Sequence, residues 1–171
     1  MAKKSKTKSL SKKPIDYKLA ASVSERVRIE TVRLISSNCY QSPAASSGKK
    51  RIDIKYTVKT QAERKSGYLF VLPEFKLEAF TAEDSEDQPS VFVEATFVLL
   101  YRAETLQGLT KKNFDSFGNS NGVYNAWPYW REFVQNTIAR MGLPPLTIPV
   151  FRLVPMKQTK PPRRKRKTGK A

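Results

Sequence analysis

The chain has 171 residues, with 32 Lys or Arg against 15 Asp or Glu, no histidine and one cysteine, for a formal net charge of +17. Lacking histidine, it is without the commonest general base and the commonest nitrogen ligand for zinc. A single thiol, Cys39, allows neither an internal disulfide nor a thiolate metal cluster. The length suits one domain with a real core.

The charge is unevenly placed. Residues 1–18 hold seven Lys against one Asp, a balance of +6, and residues 157–171 hold eight Lys or Arg and no acid, a balance of +8. Only +3 is left for residues 19–156. The N-terminal lysines lead into "SLSKKPIDYKLAAS", which lacks the apolar run of a secretory signal, and "VFVEATFVLLY" is too short to span a bilayer. A cytoplasmic protein is the expectation.

Residues 1–24, rich in Lys and Ser and without periodicity, read as a disordered basic arm. "RVRIETVRLISSNCYQ" (26–41) alternates at Val27, Ile29 and Thr31, then shifts phase to Val32 and Leu34. This predicts a long strand with a bulge near Thr31–Val32. Cys39 falls on it as a half-buried strand residue. "SPAASSGKK" (42–50) is a loop. "RIDIKYTVKT" (51–60) alternates cleanly, with Ile52, Ile54, Tyr56 and Val58 on one side, as in an antiparallel strand with one packed face. A turn containing Gly67 leads to the strand "YLFVLPEFKLEAFTA" (68–82), where Pro73 implies a bulge or an edge position.

The acidic run Glu83, Asp84, Glu86 and Asp87 reads as a solvated turn. Strand 4, "SVFVEATFVLLYRAE" (90–104), is apolar on both sides in its second half: Phe97, Leu99 and Tyr101 against Val98 and Leu100. Residues 105–122 read as a loop tethered by Phe114 and Phe117. "GNSNG" (118–122) lacks the Lys and the spacing of a phosphate-binding loop. A helix follows from Tyr124–Trp127 to a C-cap at Gly142, its stripe formed by Trp127, Trp130, Val134, Ile138 and Met141 and widened by Tyr129 and Phe133. Pro128 is expected in the first turn, where its missing N–H is harmless. "LPPLTIPVFRLVP" is extended.

The fold class is therefore α+β: a four-stranded antiparallel sheet followed by one long helix, with a body at 25–154 and a disordered basic tail at 155–171. One helical stripe covers one face of such a sheet. The surplus apolar surface calls for self-association or an apolar partner. No catalytic constellation, metal site or cofactor motif is present, so an enzyme is not expected.

"WPYWRE" (127–132) followed by "GLPPLTIPVF" (142–151) resembles the SecB family of protein-export chaperones, in which a helix opens with Pro-Tyr-x-Arg-Glu and ends in Gly before a Pro-rich segment. The matching residues are Pro128, Tyr129, Arg131, Glu132, Gly142, Pro144 or Pro145, Leu146 and Pro149. The resemblance extends over about residues 25–151. It implies an ATP-independent holdase, a dimer of dimers with the long helix at the tetramer interface and hydrophobic grooves for unfolded clients. On that reading the groove candidates are Phe92, Phe97, Val98, Leu100, Tyr101, Phe114 and Phe117. The interface or core candidates are Trp127, Tyr129, Trp130, Phe133, Val134, Ile138 and Met141.

Two features depart from the family. Its second helix, the lid over the client groove, has no counterpart in "RLVPMKQTKPPRRKRKTGKA". Acidic family members dock on the motor ATPase SecA through carboxylates of strands 1 and 4; here "RLISSNCYQS" has no acid and strand 4 keeps only Glu94. A client such as an antitoxin fits better than SecA. The alternative function is nucleic-acid or ribosome binding through the arms, with Arg163, Arg164, Lys165, Arg166 and Lys167 as the polyanion-binding cluster. Read from the sequence, the strand faces show no interleaving of arginine with aromatic residues, so RNA contact is expected from the arms alone.

Overall fold

The computed structural model describes residues 15–46, 51–81 and 88–153. The elements in chain order are helix α1 (Tyr17–Ser24), strand β1 (Val27–Gln41), a 3-10 turn (Pro43–Ser46), β2 (Arg51–Glu63), β3 (Tyr68–Phe80), β4 (Val91–Ala103), α2 (Lys111–Phe117), a π-helical turn (Gly118–Gly122) and α3 (Val123–Arg140). The strands form one antiparallel sheet in the order β1-β4-β3-β2.

The alternation predicted for the strands is realised. Residues directly opposite in a ladder share a face. Ile54, Tyr56 and Val58 therefore lie beside Leu77, Phe75 and Pro73 of β3, on the face that also holds Phe97, Leu99 and Tyr101 of β4. This face is buried beneath the helices. On the open face lie Tyr68, Phe70 and Leu72 of β3 with Val98, Leu100 and Arg102 of β4.

β1 carries two bulges, at Glu30 and Ile35, where the register against β4 slips between Ile29 and Thr31 and again between Leu34 and Ser36. The first lies next to the predicted position; the second was not foreseen. Their effect is to keep Val27, Ile29, Val32 and Leu34 all on the helix-facing side, opposite Ala103, Tyr101, Leu99 and Phe97.

Pro73 corrects a rule-based expectation. It sits in the central strand β3 with no register slip on either side, opposite Val58. The β3–β4 ladder simply skips Leu72 and Pro73, between Val71–Leu99 and Glu74–Thr96. A flat, buried ring is accommodated at the cost of local pairing.

Three further expectations are corrected. The arm was expected to be disordered to residue 24, yet residues 17–24 form α1. Asp16 caps this helix by accepting from the backbone N–H groups of Lys18 and Leu19 at 3.0 and 3.2 Å. Its Ala20 and Val23 are buried, and the Asn113 side-chain amide of α2 donates to Ser22 Oγ at 2.8 Å. Eight residues with two apolar contacts are too short a pattern to stand out beside the lysines.

Residues 105–122 are not a loop throughout. From Lys111 the backbone stays right-handed helical through the π turn and on to Arg140. The glycines that suggested a loop serve close packing instead. A Cβ at Gly118 would lie 2.6 Å from Thr60 Cγ2, and one at Gly122 would lie 2.6 Å from Val71 Cγ1.

Pro128 is consequently not in a first turn; it is the sixth residue of α3. Its missing donor frees the carbonyl of Tyr124, four residues earlier, and both residues are exposed on the outer side of the helix. The C-terminus is as expected. Gly142 adopts φ +69°, its N–H bonds the Ala139 carbonyl, and Leu143 N–H bonds the Ile138 carbonyl at 3.2 Å, closing a Schellman motif.

Candidate functional site

The helix stripe divides into three environments. Trp130, Val134 and Ile138 are buried against the sheet, Trp127, Phe133 and Met141 are half-buried, and Tyr129 is exposed. Trp130 lies nearly parallel to both Phe75 and Phe133, at centroid separations of 5.4 and 6.3 Å. Trp127 meets Phe75 edge-on and donates its indole N–H to the Pro149 carbonyl at 2.8 Å. This bond holds the extended segment after Gly142 against the sheet, and Phe151 of that segment packs on Trp127 and Tyr56. Of the remaining signature residues, Pro128, Glu132 and Gly142 are exposed, and Arg131 is half-buried with its Nε unpaired among the described residues.

The proposed groove residues are not brought together. Phe97 and Tyr101 lie in the core under the helices, and Phe114 and Phe117 belong to α2 and point into the same core. None of these four can touch a client while the core is closed. The Tyr101 hydroxyl also accepts a 3.0 Å bond from the Asn125 amide N–H, and burial pushes the pKa of its phenol up to about 12. Phe92, Val98 and Leu100 are on the opposite, open face. The alternation of a strand assigned these side chains to two sides correctly, but the sequence did not say that both helices cover the same one.

The exposed apolar surface lies elsewhere, along β1. Ile29 and Leu34 are 45% exposed, Ile35 53% and Tyr40 55%. β1 is also an edge strand, with no strand on its outer side among the described residues. Natural edges are blunted by charge or proline, because an open apolar edge recruits another chain. On the helix side, Tyr129, Phe133 and Thr137 recur at four-residue spacing and so form one stripe. Thr137 hydrogen-bonds the Cys39 thiol of β1, which places that stripe over the strand. Cys39 is exposed rather than half-buried, though enough of its thiol is shielded to push its pKa up. An apolar margin thus runs along β1 beside α3. Phase alone foretold its strand and its bulge; which strand lies at the edge is a matter of topology.

The open face carries a second pattern that the strand phases did not reveal. The Arg102 guanidinium lies 4.9 Å over the Tyr68 ring, whose centroid is 6.4 Å from that of Phe70. At the other end, Arg51 covers Phe80 at 4.6 Å and Lys76 covers Phe92 at 5.2 Å. Cations and aromatics are interleaved here after all, contrary to the sequence reading, because cross-strand neighbours are invisible along one strand.

Arg163–Lys167 and the acidic run 83–87 lie outside the described residues. Among the described residues no group of three or more Cys, Asp or Glu is placed to hold a metal ion, and no helix is long and apolar enough to cross a membrane.

A four-stranded antiparallel sheet with one face covered by a long helix and the other open defines an α+β fold. The structure is similar to the Mycobacterium tuberculosis SecB-like chaperone solved in complex with a ChAD peptide from the HigA1 antitoxin. The TM-score is 0.68 at 19% identity, over 79% of this chain and 96% of that chain. A Streptococcus agalactiae protein of unknown function matches more loosely, with TM-score 0.40 and 9% identity over 72% of this chain and 96% of that one. No family model and no curated protein sequence matches the chain. The chain has a SecB-like fold.

Proposed function

We propose that the protein is an ATP-independent holdase that binds unfolded or partly folded polypeptide through the apolar margin of β1 and the adjoining stripe of α3. The observation that carries this is the edge of β1, where Ile29, Leu34, Ile35 and Tyr40 are exposed and no strand of the described residues pairs on the outer side. An extended, unfolded segment can add to such an edge through its backbone while its apolar side chains find the neighbouring ones. Such recognition is largely indifferent to sequence and requires no nucleotide. The SecB-like fold and the peptide held by the mycobacterial chaperone support the reading. By that analogy an antitoxin segment is the favoured client over a protein in export, and the acid-free segment "RLISSNCYQS" speaks against docking on SecA.

The same margin suits self-association, and a dimer of dimers is the assembly proposed. The test is suppression of aggregation of a chemically unfolded protein, followed by light scattering without ATP. Suppression at a several-fold excess of the protein is expected, and its absence overturns the proposal. Multi-angle light scattering should give a mass above that of one chain; a monomer at micromolar concentration counts against the assembly.

A further inference from the structure

We propose that the protein binds single-stranded nucleic acid on the open face of its folded body, at the end of the sheet next to the β2–β3 turn. A cleft of about 1070 Å³ opens there, with Arg26 and Arg28 of β1 and its approach, Arg64 and Lys65 of the turn, and Arg102 of β4 in its lining. Two of these cations are structural. Arg26 donates to the Gln107 carbonyl, and Arg64 donates to the Leu106 and Leu109 carbonyls. Arg28 and Lys65 are left to face the cleft, and Arg102 donates to the Tyr68 hydroxyl while lying over its ring.

Arg28 and Arg102 stand directly opposite each other in the β1–β4 ladder. Like charges in that position repel unless an anion lies between them. Glu25, Glu30 and Glu104 also line the cleft, yet none makes an ion pair with these cations among the described residues. The ion pairs of the open face, Arg51–Asp53, Lys55–Glu78 and Lys76–Glu94, are all outside the cleft lining. With five cations against three carboxylates, the cleft lining keeps a formal surplus of two positive charges that no ion pair among the described residues neutralises.

What makes the occupant a nucleic acid rather than a bare anion is the aromatic pair beside the charge. Tyr68 and Phe70 continue from Arg102 across the open face, and Leu100 lies opposite Phe70. Stacking platforms for single strands combine a cationic track with successive rings. The cleft borders the β1 margin at Arg28 and Glu30, but the argument from charge and aromatic rings does not rest on the holdase reading.

The experiment uses the full chain and a fluorescein-labelled 20-nucleotide oligouridine, with anisotropy titrations over a range of salt. The Arg28→Ser, Lys65→Ser double variant should bind more weakly, with the slope of log K against log salt shallower by about 1.4, the share of two phosphate contacts on a single strand. Arg28→Lys should bind like the wild type. Tyr68→Leu should lose about ten-fold in affinity with the slope unchanged, because stacking carries no counterion release. Thermal melts identify any variant that fails to fold. Independently of variants, 4-thiouridine in the oligonucleotide should photo-crosslink to the peptide containing Tyr68 and Phe70. Crosslinks confined to residues 1–14 and 157–171, with both cleft variants binding as the wild type, overturn the proposal. So does inorganic polyphosphate displacing the oligonucleotide equally well from wild type and Tyr68→Leu, which would mark an anion site that ignores bases.

Discussion

Trp130 of α3 lies on Phe75 of β3 with ring planes 15° from parallel, and both side chains are wholly buried. This stack is where the long helix is fixed to the centre of the sheet. Trp130→Ala should destabilise the fold by about 3–5 kcal/mol, the range for emptying a large aromatic site. Trp130→Phe should cost less than half as much, since the indole N–H has no partner among the described residues and its removal loses no hydrogen bond. Chemical denaturation of the two variants checks the order.

Gly118 and Gly122 bring the π turn onto β2 and β3. In an unconstrained helix, Ala is favoured over Gly by about 0.8–1.0 kcal/mol. Here Gly122→Ala should be destabilising by about 1–3 kcal/mol, because the new methyl meets Val71. Combining it with Val71→Ala should recover part of the loss, and a double-mutant cycle measures that coupling. A stabilising Gly122→Ala would show that the helix does not sit this close.

Leu34→Lys tests the β1 margin. At a site 45% exposed, the change in folding stability should be small, within about 0.5 kcal/mol. Suppression of aggregation should fall and the mass by light scattering should drop. A variant that retains both excludes this strand as the shared surface.

Tyr101 predicts a pH dependence. Its folded pKa, about 12, is above the ordinary phenol value of 10.0, and burial is the main cause. A folded state that holds its proton more tightly has that stabilisation in full below pH 10 and loses it as pH rises toward 12. Wild-type stability should therefore decline more steeply over that window than that of Tyr101→Phe. At neutral pH the variant should cost about 1 kcal/mol for the lost bond to Asn125. Denaturation midpoints at pH 8, 10 and 11 give the comparison.

Much of the fold was legible from local chemistry. Period-two alternation placed all four strands. Ile29 followed by Val32 announced a bulge, and the stripe from Trp127 to Met141 with Gly142 behind it announced the long helix and its cap. Local rules misled where a neighbour in space overruled them. Pro73 is tolerated in a central strand, Pro128 sits inside a helix, and the glycines of "GNSNG" mark close packing rather than a loop, since Thr60, Val58 and Val71 leave no room for a Cβ.

The candidate surfaces were less legible, for a related reason. Strand phase tells which residues share a face, but not which face the helices cover or which strand ends up at the edge. Phe97 and Tyr101 therefore went to the core while Ile29 and Leu34, with the same phase relation to their own strand, remained exposed. The pairing of Arg102 with Tyr68 and the opposition of Arg28 to Arg102 exist only across strands. By itself, the sequence determined the elements, their apolar faces and the placement of charge in the arms, because these follow from short-range periodicity. The tertiary structure alone decided which apolar residues are left for a partner and which cations converge, because burial and cross-strand distance are properties of the assembled sheet.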